Sequence, residues 1–283
     1  MGALIDGKAI ADKINEKVAE KVSLLKKQKI TPKLAVILVG KDKPSQTYVK
    51  KKGQAAQKAG MAFKLHKINS TITTKQLIKK IEEIQNDKDL SGIIVQLPLP
   101  KHINTNSVLN TIKPEIDVDC LTNVNLGKLV MKTNFLVPPT PGAVMSIIHK
   151  LNIDLIGKNV TIIGAGPLVG KPLAIMMMNE YASVTVCNSK TKDTKEKCLA
   201  SDIIITGVGK KNILRKDMVS PGVIVIDTGV SFEQKKMSGD VNVKEILDKV
   251  AYVTPTPGGV GPITVARLLL NTIICCEHNN NIK

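Results

Sequence analysis

The sequence predicts an α/β fold of two domains, one of them a doubly wound, Rossmann-like parallel sheet. Three observations lead to it. A β-branched run at residues 160–163 ends in a glycine turn, residues with helical spacing follow, and a second β-branched run occupies residues 184–186. A strand, a turn, a helix and another strand in that order form the βαβ unit of such sheets. At 283 residues, 43% of them hydrophobic, the chain is long enough for two cores.

The other predicted elements alternate between strand and helix on both sides of this unit. Before it, strands are predicted at residues 34–39, 63–68 and 93–95, and helices at residues 9–27, 45–60, 74–86 and 105–112. Ser45 is predicted to be the N-cap of the second helix. A proline-rich crossing at residues 135–141 leads to a linking helix at 143–151. After the unit, strands are predicted at residues 202–206, 223–227 and 252–253, and helices at 243–249 and 263–276.

The glycine turn has the residue types of a phosphate-binding loop. Gly164, Gly166 and Gly170 have the spacing GxGxxxG, one residue longer than the common dinucleotide fingerprint. Glycines let the backbone approach an anion, and the free N–H groups and dipole of the following helix attract it. From this motif alone, an ordinary strand-to-helix turn is the alternative.

The residues after the second strand of the unit bear on the choice of cofactor. Folds that bind NAD usually carry an acidic residue there, whereas this chain reads Cys187-Asn188-Ser189-Lys190. A hydroxyl and an ammonium group suit a 2′-phosphate, so we predict NADP, with NAD as the other possibility. The competing interpretation of Ser189 and Lys190 is a polar surface loop.

The strongly basic composition does not indicate a nucleic-acid-binding protein. The net charge is +17, but all of the 41 basic residues except Arg215 and Arg267 are lysines, and aromatic residues make up only 2%. Arginine and stacked aromatic rings are the usual readers of nucleic acids. We interpret the dispersed lysines as a solvated surface that also attracts an anionic substrate and cofactor.

The five cysteines indicate a reducing compartment. None of them forms a CxxC pair or a metal-ligand spacing, so no metal site is predicted and the protein is expected to be cytoplasmic with free thiols. No signal peptide is recognised, and no apolar segment is judged long enough to span a membrane.

Two further groups of polar residues are candidates for chemistry. Tyr48 and Lys52 lie four apart on a predicted helix, so their side chains are neighbours, and the aromatic ring could partly desolvate the amine for proton transfer. Three consecutive lysines more often form a solvated face, and the residues alone favour that interpretation. Gln96 follows a buried strand, at the edge where open α/β sheets collect ligands. Asp117 and Asp119 share one side of an extended segment, or belong to an acidic surface loop.

Taken in order, these segments resemble one family, the bifunctional methylenetetrahydrofolate dehydrogenase/cyclohydrolases. The resemblance covers nearly the whole chain and is highly specific in its order. It rests on the segments VGKDKPSQTYVKKK, GIIVQLPLP, PEIDVD, PPTPGA, IIGAGPLVGKP, VIDTGV, GDV and TPTPGGVGPITVA.

The resemblance implies an amino-terminal α/β catalytic lobe, a Rossmann-like nucleotide domain and a carboxy-terminal helix that returns to the first lobe. The corresponding boundaries are residues 1–139 with 264–283 for the folate-binding domain, and 140–263 for the nucleotide domain. The substrate, a tetrahydrofolate derivative, is expected in a cleft between the lobes. Members of the family usually form homodimers through the nucleotide domain.

The resemblance also implies roles for individual residues. Lys52 would be the catalytic group, Tyr48 would stack on the folate, Gln96 would hold Lys52, and Asp119 would bind the pterin. The implied folate-binding set is Tyr48, Lys52, Val95, Gln96, Leu97, Asp119, Pro257, Gly258, Gly259 and Gly261. The implied cofactor-binding set is Gly164, Ala165, Gly166, Ser189 and Val230.

The implied activity is a pair of reactions in one-carbon metabolism that supply purine biosynthesis. 5,10-Methylenetetrahydrofolate is oxidised with NADP to 5,10-methenyltetrahydrofolate, which is then hydrolysed to 10-formyltetrahydrofolate. Two departures from the family pattern stand out. The glycine turn lacks the serine or arginine that many relatives carry, which bears on the cofactor, and Cys120 follows Asp119 where glycine is common.

Two rival functions are distinguishable by simple assays. A two-domain NADP dehydrogenase of a small acid would share the glycine motif but has no need of Tyr48, Lys52 and Gln96. The absorbance of methenyltetrahydrofolate separates that function from the one above. A nucleic-acid-binding protein would show tight, salt-sensitive duplex binding.

Overall fold

A computed structural model describes residues 2–233 and 236–282 of the chain. The chain forms two compact units. The three-stranded unit comprises Lys13–Pro139 and Val265–Lys283, and the six-stranded unit comprises Met1–Asp12 and Thr140–Thr264. Each unit is therefore assembled from two separate stretches of sequence.

The three-stranded unit is built on a parallel sheet whose central strand is buried on both faces. The sheet has the order β3-β2-β4, with β2 at Lys33–Val39, β3 at Ala62–Ile68 and β4 at Leu90–Val95. Along β2, Leu34, Val36 and Leu38 pack into one core, and the alternate residues pack into a second core on the other face. This period-2 arrangement is typical of a parallel strand covered on both sides by helices.

Helices flank this sheet, and the prediction of their positions was close. They are α1 at Gly7–Lys27, α2 at Lys43–Lys58, α3 at Thr74–Ile84, α4 at Thr105–Leu109, α5 at Asn123–Val130 and the last helix, α10, at Val260–Asn279. The prediction of Ser45 as the N-cap of α2 was wrong. Asp42 is the N-cap, and its carboxylate accepts from the Ser45 backbone N–H at 2.9 Å and from the Ser45 hydroxyl at 2.6 Å.

The six-stranded unit has a wholly parallel sheet of the Rossmann type, in the order β1-β11-β8-β7-β5-β6. Its strands are β1 at Ala3–Leu4, β5 at Asn159–Ile163, β6 at Ser183–Cys187, β7 at Ile203–Thr206, β8 at Ile224–Asp227 and β11 at Tyr252–Val253. The hairpin strands β9 and β10 lie at Ser231–Glu233 and Lys236–Ser238. The remaining helices are α6 at Pro139–Lys150, α7 at Gly170–Asn179, α8 at Thr194–Leu199 and α9 at Val243–Ile246.

The amino terminus differs from the predicted domain division, which assigned residues 1–12 to the folate-binding domain. These residues belong to the six-stranded unit because β1 pairs in parallel with β11, Ala3 opposite Tyr252 and Leu4 opposite Val253. A two-residue strand carries too little periodicity to be recognised from sequence.

The expectation that no segment is long enough to span a membrane also needs correction. By length and composition, α10 could cross one, with a mean hydropathy of 1.4 over its most apolar window. In the structure 56% of that window is buried, and Leu268, Leu269 and Ile273 pack into a core of the three-stranded unit. Such burial is typical of a helix in the core of a globular domain. The length and composition of this single helix are therefore only weak evidence for a membrane span.

Candidate active site

The three-stranded unit brings the predicted catalytic lysine into contact with the predicted glutamine. Lys52 lies on α2, and Gln96 directly follows β4. The Lys52 Nζ donates to the Gln96 Oε1 at 3.2 Å. Lys52 is half-buried, whereas its neighbours Lys50 and Lys51 are exposed. The interpretation of all three lysines as one solvated face was therefore wrong for Lys52.

Gln96 is itself held on two sides. Its backbone N–H donates to the Ile37 carbonyl at 2.9 Å, which continues the ladder between β4 and β2. Its side-chain Nε2 donates to the Leu97 carbonyl at 2.7 Å. With the amide nitrogen bound in this way, the amide oxygen is the atom that faces Lys52. The Leu97–Pro98 peptide bond that follows is cis.

The two acids of the DxD segment have different environments. Asp117 is only 1% exposed, and its Oδ2 accepts from the Thr122 N–H at 2.8 Å and from the Asn125 Nδ2 at 3.0 Å. Asp119 is partly exposed. Burial raises the pKa of Asp119, and the nearby Lys52 ammonium opposes that rise. Asp117 thus organises the backbone, while the Asp119 carboxyl group is left in the electrostatic field of Lys52.

The segment that carries Asp119 is fixed from behind by α10. The Asn271 Nδ2 donates to the carbonyls of Val118 and Val137, both at 2.8 Å. Cys120 is fully buried and adopts a φ of +56°. This left-handed conformation, which glycine adopts without strain, explains physically why glycine is common there in the family that the sequence resembles.

Other predicted folate-binding residues vary in their accessibility. Tyr48 is half-buried on α2, and burial raises the pKa of its hydroxyl group. Leu97 is half-buried and offers its carbonyl to Gln96. The side chain of Val95 is only 2% exposed and packs into a core, and its place in the folate-binding set stays a prediction.

In the six-stranded unit, the glycine motif forms the predicted strand–turn–helix. Gly164 has a φ of +123°, and a Cβ added at Gly170 would lie 1.7 Å from the Gly164 carbonyl oxygen. Nothing lies within 4 Å of the place where a Cβ of Gly166 would be. Apolar Val169 occupies the N-cap of α7, so its side chain accepts no N–H group of the first turn. The turn, which includes Ala165, therefore has the open backbone that suits a diphosphate. In the first turn of α7, the Lys171 N–H donates to the Gly166 carbonyl at 3.0 Å, and Pro172 has no N–H.

The other predicted cofactor residues follow two strands of the same sheet, β6 and β8, which are separated by β5 and β7. Ser189 is exposed in the turn after β6, where the Asn188 N–H donates to the Thr191 hydroxyl at 2.9 Å. Val230 is half-buried after β8. The Gly164 N–H donates to the Cys187 carbonyl at 2.9 Å, which places the end of β6 beside the glycine turn.

The glycine-rich return that was predicted to line the folate lies in the six-stranded unit. Pro257 is exposed after a cis peptide bond, and Gly258 has a φ of +102°. A Cβ at Gly7 would lie 1.8 Å from the carbonyl oxygen of Gly259, so the start of α1 packs directly on this loop. Gly261 is exposed in the first turn of α10.

Two family models match the chain and together span most of it. The model of the tetrahydrofolate dehydrogenase/cyclohydrolase catalytic domain matches residues 5–119, and the model of the NAD(P)-binding domain of the same family matches residues 138–280. The chain belongs to the tetrahydrofolate dehydrogenase/cyclohydrolase family. The family that the sequence resembles is confirmed, as is the prediction of a Rossmann-like nucleotide-binding domain.

Individual members of the family match the chain from end to end. The bifunctional protein FolD of Nautilia profundicola is 44% identical over 276 residues, which cover 97% of each chain. The crystal structure of the Campylobacter jejuni FolD superposes with a TM-score of 0.95 at 42% identity, covering 98% of this chain and 99% of that one. The Trypanosoma brucei enzyme, solved with NADP and an inhibitor, gives a TM-score of 0.94 at 36% identity and 98% coverage of both chains.

Two polar features of this family member were not singled out from sequence. Asp227 and Asp240 are buried in the six-stranded unit, 2% and 0% exposed. Both stand in segments that carry the family resemblance. The backbone groups that their carboxylates bind, such as the Val208 N–H for Asp240 and the Val241 N–H for Asp227, lie in other segments of the sequence. Within residues 2–233 and 236–282, no group of three or more His, Cys, Asp or Glu side chains is arranged to hold a metal ion.

Proposed function

We propose that this chain oxidises 5,10-methylenetetrahydrofolate with NADP and hydrolyses the methenyl product to 10-formyltetrahydrofolate. The observation that carries the proposal is the hydrogen bond between Lys52 and Gln96. It holds an amine at the edge of the sheet, where the amine interacts electrostatically with the Asp119 carboxyl group. Tyr48 precedes Lys52 by one turn of α2. Family membership supplies the pair of reactions, and the residues of this chain supply the groups they need.

The folate is proposed to bind on the three-stranded unit. Asp119 accepts two hydrogen bonds from the amino and ring N–H groups of the pterin, as an ionised carboxylate can. The half-buried ring of Tyr48 provides a flat apolar surface for stacking. Because Asp117 and Asn271 fix the backbone on either side of Asp119, this carboxylate is preorganised for the pterin.

Hydrolysis of the methenyl group requires proton transfers at a water molecule and at a ring nitrogen. Lys52 has three N–H donors, and Gln96 accepts one of them. As a neutral amine, Lys52 would accept a proton from the attacking water, and the ammonium so formed would donate a proton to the ring nitrogen. Gln96 is neutral, so it orients the amine without trapping it in an ion pair.

The cofactor is proposed to bind on the six-stranded unit, where the residues fit a dinucleotide. Gly164, Ala165 and Gly166 would hold the diphosphate, Ser189 would contact the 2′-phosphate, and Val230 would contact the nucleotide. Bound NADP supplies the acceptor for the hydride that leaves the methylene carbon. The related Trypanosoma brucei enzyme was solved with NADP, which supports this choice. A lower KM for NAD than for NADP would overturn it.

The role of Lys52 is tested by comparing two lysine variants of the same helix. Lys52→Met keeps an unbranched side chain, shorter by one atom, and removes the amine, so cyclohydrolase activity is expected to fall below detection. Lys51→Met is the control, because Lys51 is exposed one residue away. The decay of methenyltetrahydrofolate absorbance measures the reaction. Hydrolysis at the wild-type rate by Lys52→Met would reject the assignment.

We further propose a cytoplasmic homodimer. The five cysteines are all buried and free, which fits a reducing compartment. Light scattering coupled to size-exclusion chromatography measures the mass, and a single 30.5 kDa species at micromolar concentration would contradict the dimer.

A further inference from the structure

The six-stranded unit contains a second glycine turn whose N–H groups are already occupied. Gly207, Val208 and Gly209 follow β7, at the edge where the first glycine turn lies. The Asp240 carboxylate accepts from the Val208 N–H at 2.7 Å and from the Lys210 N–H at 2.8 Å. Asp240 is completely buried. A side-chain anion of the protein therefore takes the donors that a phosphate would otherwise use.

We propose that Asp240 is a positioning residue for the dinucleotide, because it holds the second glycine turn in the shape on which the cofactor site is built. This inference rests on the proposed function and extends it to a residue that touches neither the folate nor the cofactor. Three sets of contacts support it.

The second glycine turn contacts the first. A Cβ added at Gly164 would lie 2.8 Å from the Gly207 carbonyl oxygen and 3.5 Å from a methyl group of Val208. The Gly207 N–H donates to the Ile163 carbonyl at 2.9 Å. Movement of the Asp240-bound turn would therefore press directly on the backbone proposed to bind the diphosphate.

The second glycine turn also contacts the proposed nucleotide residue on the other side. A Cβ added at Gly209 would lie 3.2 Å from the carbonyl oxygen of Val230. Gly209 has a φ of +73°, so the turn adopts a conformation that few other residues tolerate. The turn thus lies between Gly164 and Val230, and Asp240 sets its conformation.

A second buried carboxylate braces the first in a reciprocal arrangement. Asp227 accepts from the Gly229 N–H at 2.8 Å and from the Val241 N–H at 3.0 Å. A Cβ at Gly229 would lie 2.1 Å from the Asp240 carboxylate, and a Cβ at Gly239 would lie 1.9 Å from the Asp227 carboxylate. Asp240 occupies the space that a side chain at position 229 would need, and Asp227 occupies the space that a side chain at position 239 would need. Burial raises the pKa of both carboxyl groups, and the backbone donors oppose that rise.

The two activities of the chain make it possible to distinguish a loss of cofactor positioning from a general loss of stability. The dehydrogenase reaction needs the dinucleotide, whereas hydrolysis of added methenyltetrahydrofolate does not. In Asp240→Asn, one of the two backbone N–H groups would face an amide NH2 instead of an oxygen, so the turn would relax. We expect the KM for NADP and the Kd for NADPH to rise about tenfold or more, the size of one lost charged hydrogen bond. The kcat of the dehydrogenase and the cyclohydrolase rate should change less than twofold or so.

The experiment measures NADPH binding by fluorescence titration, alongside both activities of the full chain. Asp217→Asn is the matched control, because Asp217 lies in the same unit, is half-exposed and pairs with the surface groups Lys195 and Arg215. An unchanged Kd for NADPH in Asp240→Asn would overturn the inference. Absence of both activities in the wild-type chain would instead overturn the proposed function.

A second variant keeps the inference testable if Asp240→Asn fails to fold. Gly229→Ala leaves the charge of Asp240 in place but pushes on its carboxylate, and Gly229 does not have a positive φ that an alanine would strain. It should raise the Kd for NADPH in the same direction, with the cyclohydrolase rate preserved. Loss of both activities in equal proportion would contradict a positioning role.

Discussion

The Lys52 ammonium group and the Gln96 side-chain oxygen are 3.2 Å apart, and the other end of the same amide is held by the Leu97 carbonyl. Gln96 therefore presents a fixed, uncharged acceptor to the amine. Unlike a carboxylate, this neutral amide binds the amine without forming an ion pair with it.

Replacement of Gln96 by glutamate tests this relationship. Gln96→Glu would create an ion pair with Lys52, and we expect cyclohydrolase activity to fall by roughly two orders of magnitude, within the usual range for acid–base groups. Gln54→Glu on the exposed side of α2 is the control. A full cyclohydrolase rate in Gln96→Glu would show that the neutrality of Gln96 is unimportant.

The two aspartates of the DxD segment should have separable effects. Asp119→Ala removes the proposed pterin ligand from a partly exposed position, so the KM for the folate should rise by about tenfold or more, with little change in Tm. Asp117→Ala leaves the buried Thr122 N–H and Asn125 amide without their acceptor, so it should lower the free energy of unfolding by about 1–3 kcal/mol. Kinetics and thermal melts of both variants measure this, and equal losses of stability would contradict the division of roles.

Asp227 makes a specific contribution to the pH dependence of stability. Burial raises the pKa of Asp227 from 3.8 to about 6 in the folded protein. Between these values the folded state binds a proton that the unfolded state has released. Stability from this group is therefore fully present below about pH 4 and is lost as the pH rises through about 6. The loss is on the order of 3 kcal/mol.

The measurement is the pH dependence of Tm for the wild type and for Asp227→Asn between pH 4.5 and roughly 7.5, since the asparagine cannot titrate. The difference between the two curves should favour the wild type most at the acid end. Exposed acids such as Asp217 and Asp248, whose pKa values are lowered by Lys195 and Lys216, titrate in both proteins and cancel. Parallel curves would show that Asp227 does not titrate in this range.

Arg267 on α10 is a candidate for stabilisation by substitution. Its Nε is buried without a hydrogen-bond partner among the described residues, and burial lowers the pKa of the guanidinium group. A buried N–H donor without an acceptor is costly, so Arg267→Met, which removes it, should raise the free energy of unfolding by about 1–2 kcal/mol. Arg267→Lys retains the charge and serves as the control. A lower Tm for the methionine variant in chemical or thermal unfolding would refute this.

Local patterns in the sequence were sufficient to predict the βαβ unit and most strands. The alternation of Leu34, Val36 and Leu38 with smaller or branched residues predicts a buried strand, and the structure has one at Lys33–Val39. Gly164 and Gly170 have the predicted turn because only glycine fits their close approach. These features depend on residues near one another in the chain, where spacing and side-chain type are informative.

Features that depend on distant residues were not predictable in this way. Nothing near Asp240 in sequence indicates that its partners are Val208 and Lys210, some thirty positions earlier. Lys52 also differs from Lys51 only through its contact with Gln96, 44 residues later. The sequence alone favoured a solvated face, and only the resemblance pointed to Lys52. The N-cap of α2 was misplaced because serine and aspartate are equally good caps, and Asp42 and Ser45 compete within one turn.

The pairing of β1 with β11 limits the order in which the six-stranded sheet can form during synthesis. Ala3 and Tyr252 are neighbours in one sheet although residues 4–251 are synthesised between them. β1 therefore leaves the ribosome long before its partner, and this edge of β11 stays uncovered until the two distant segments meet.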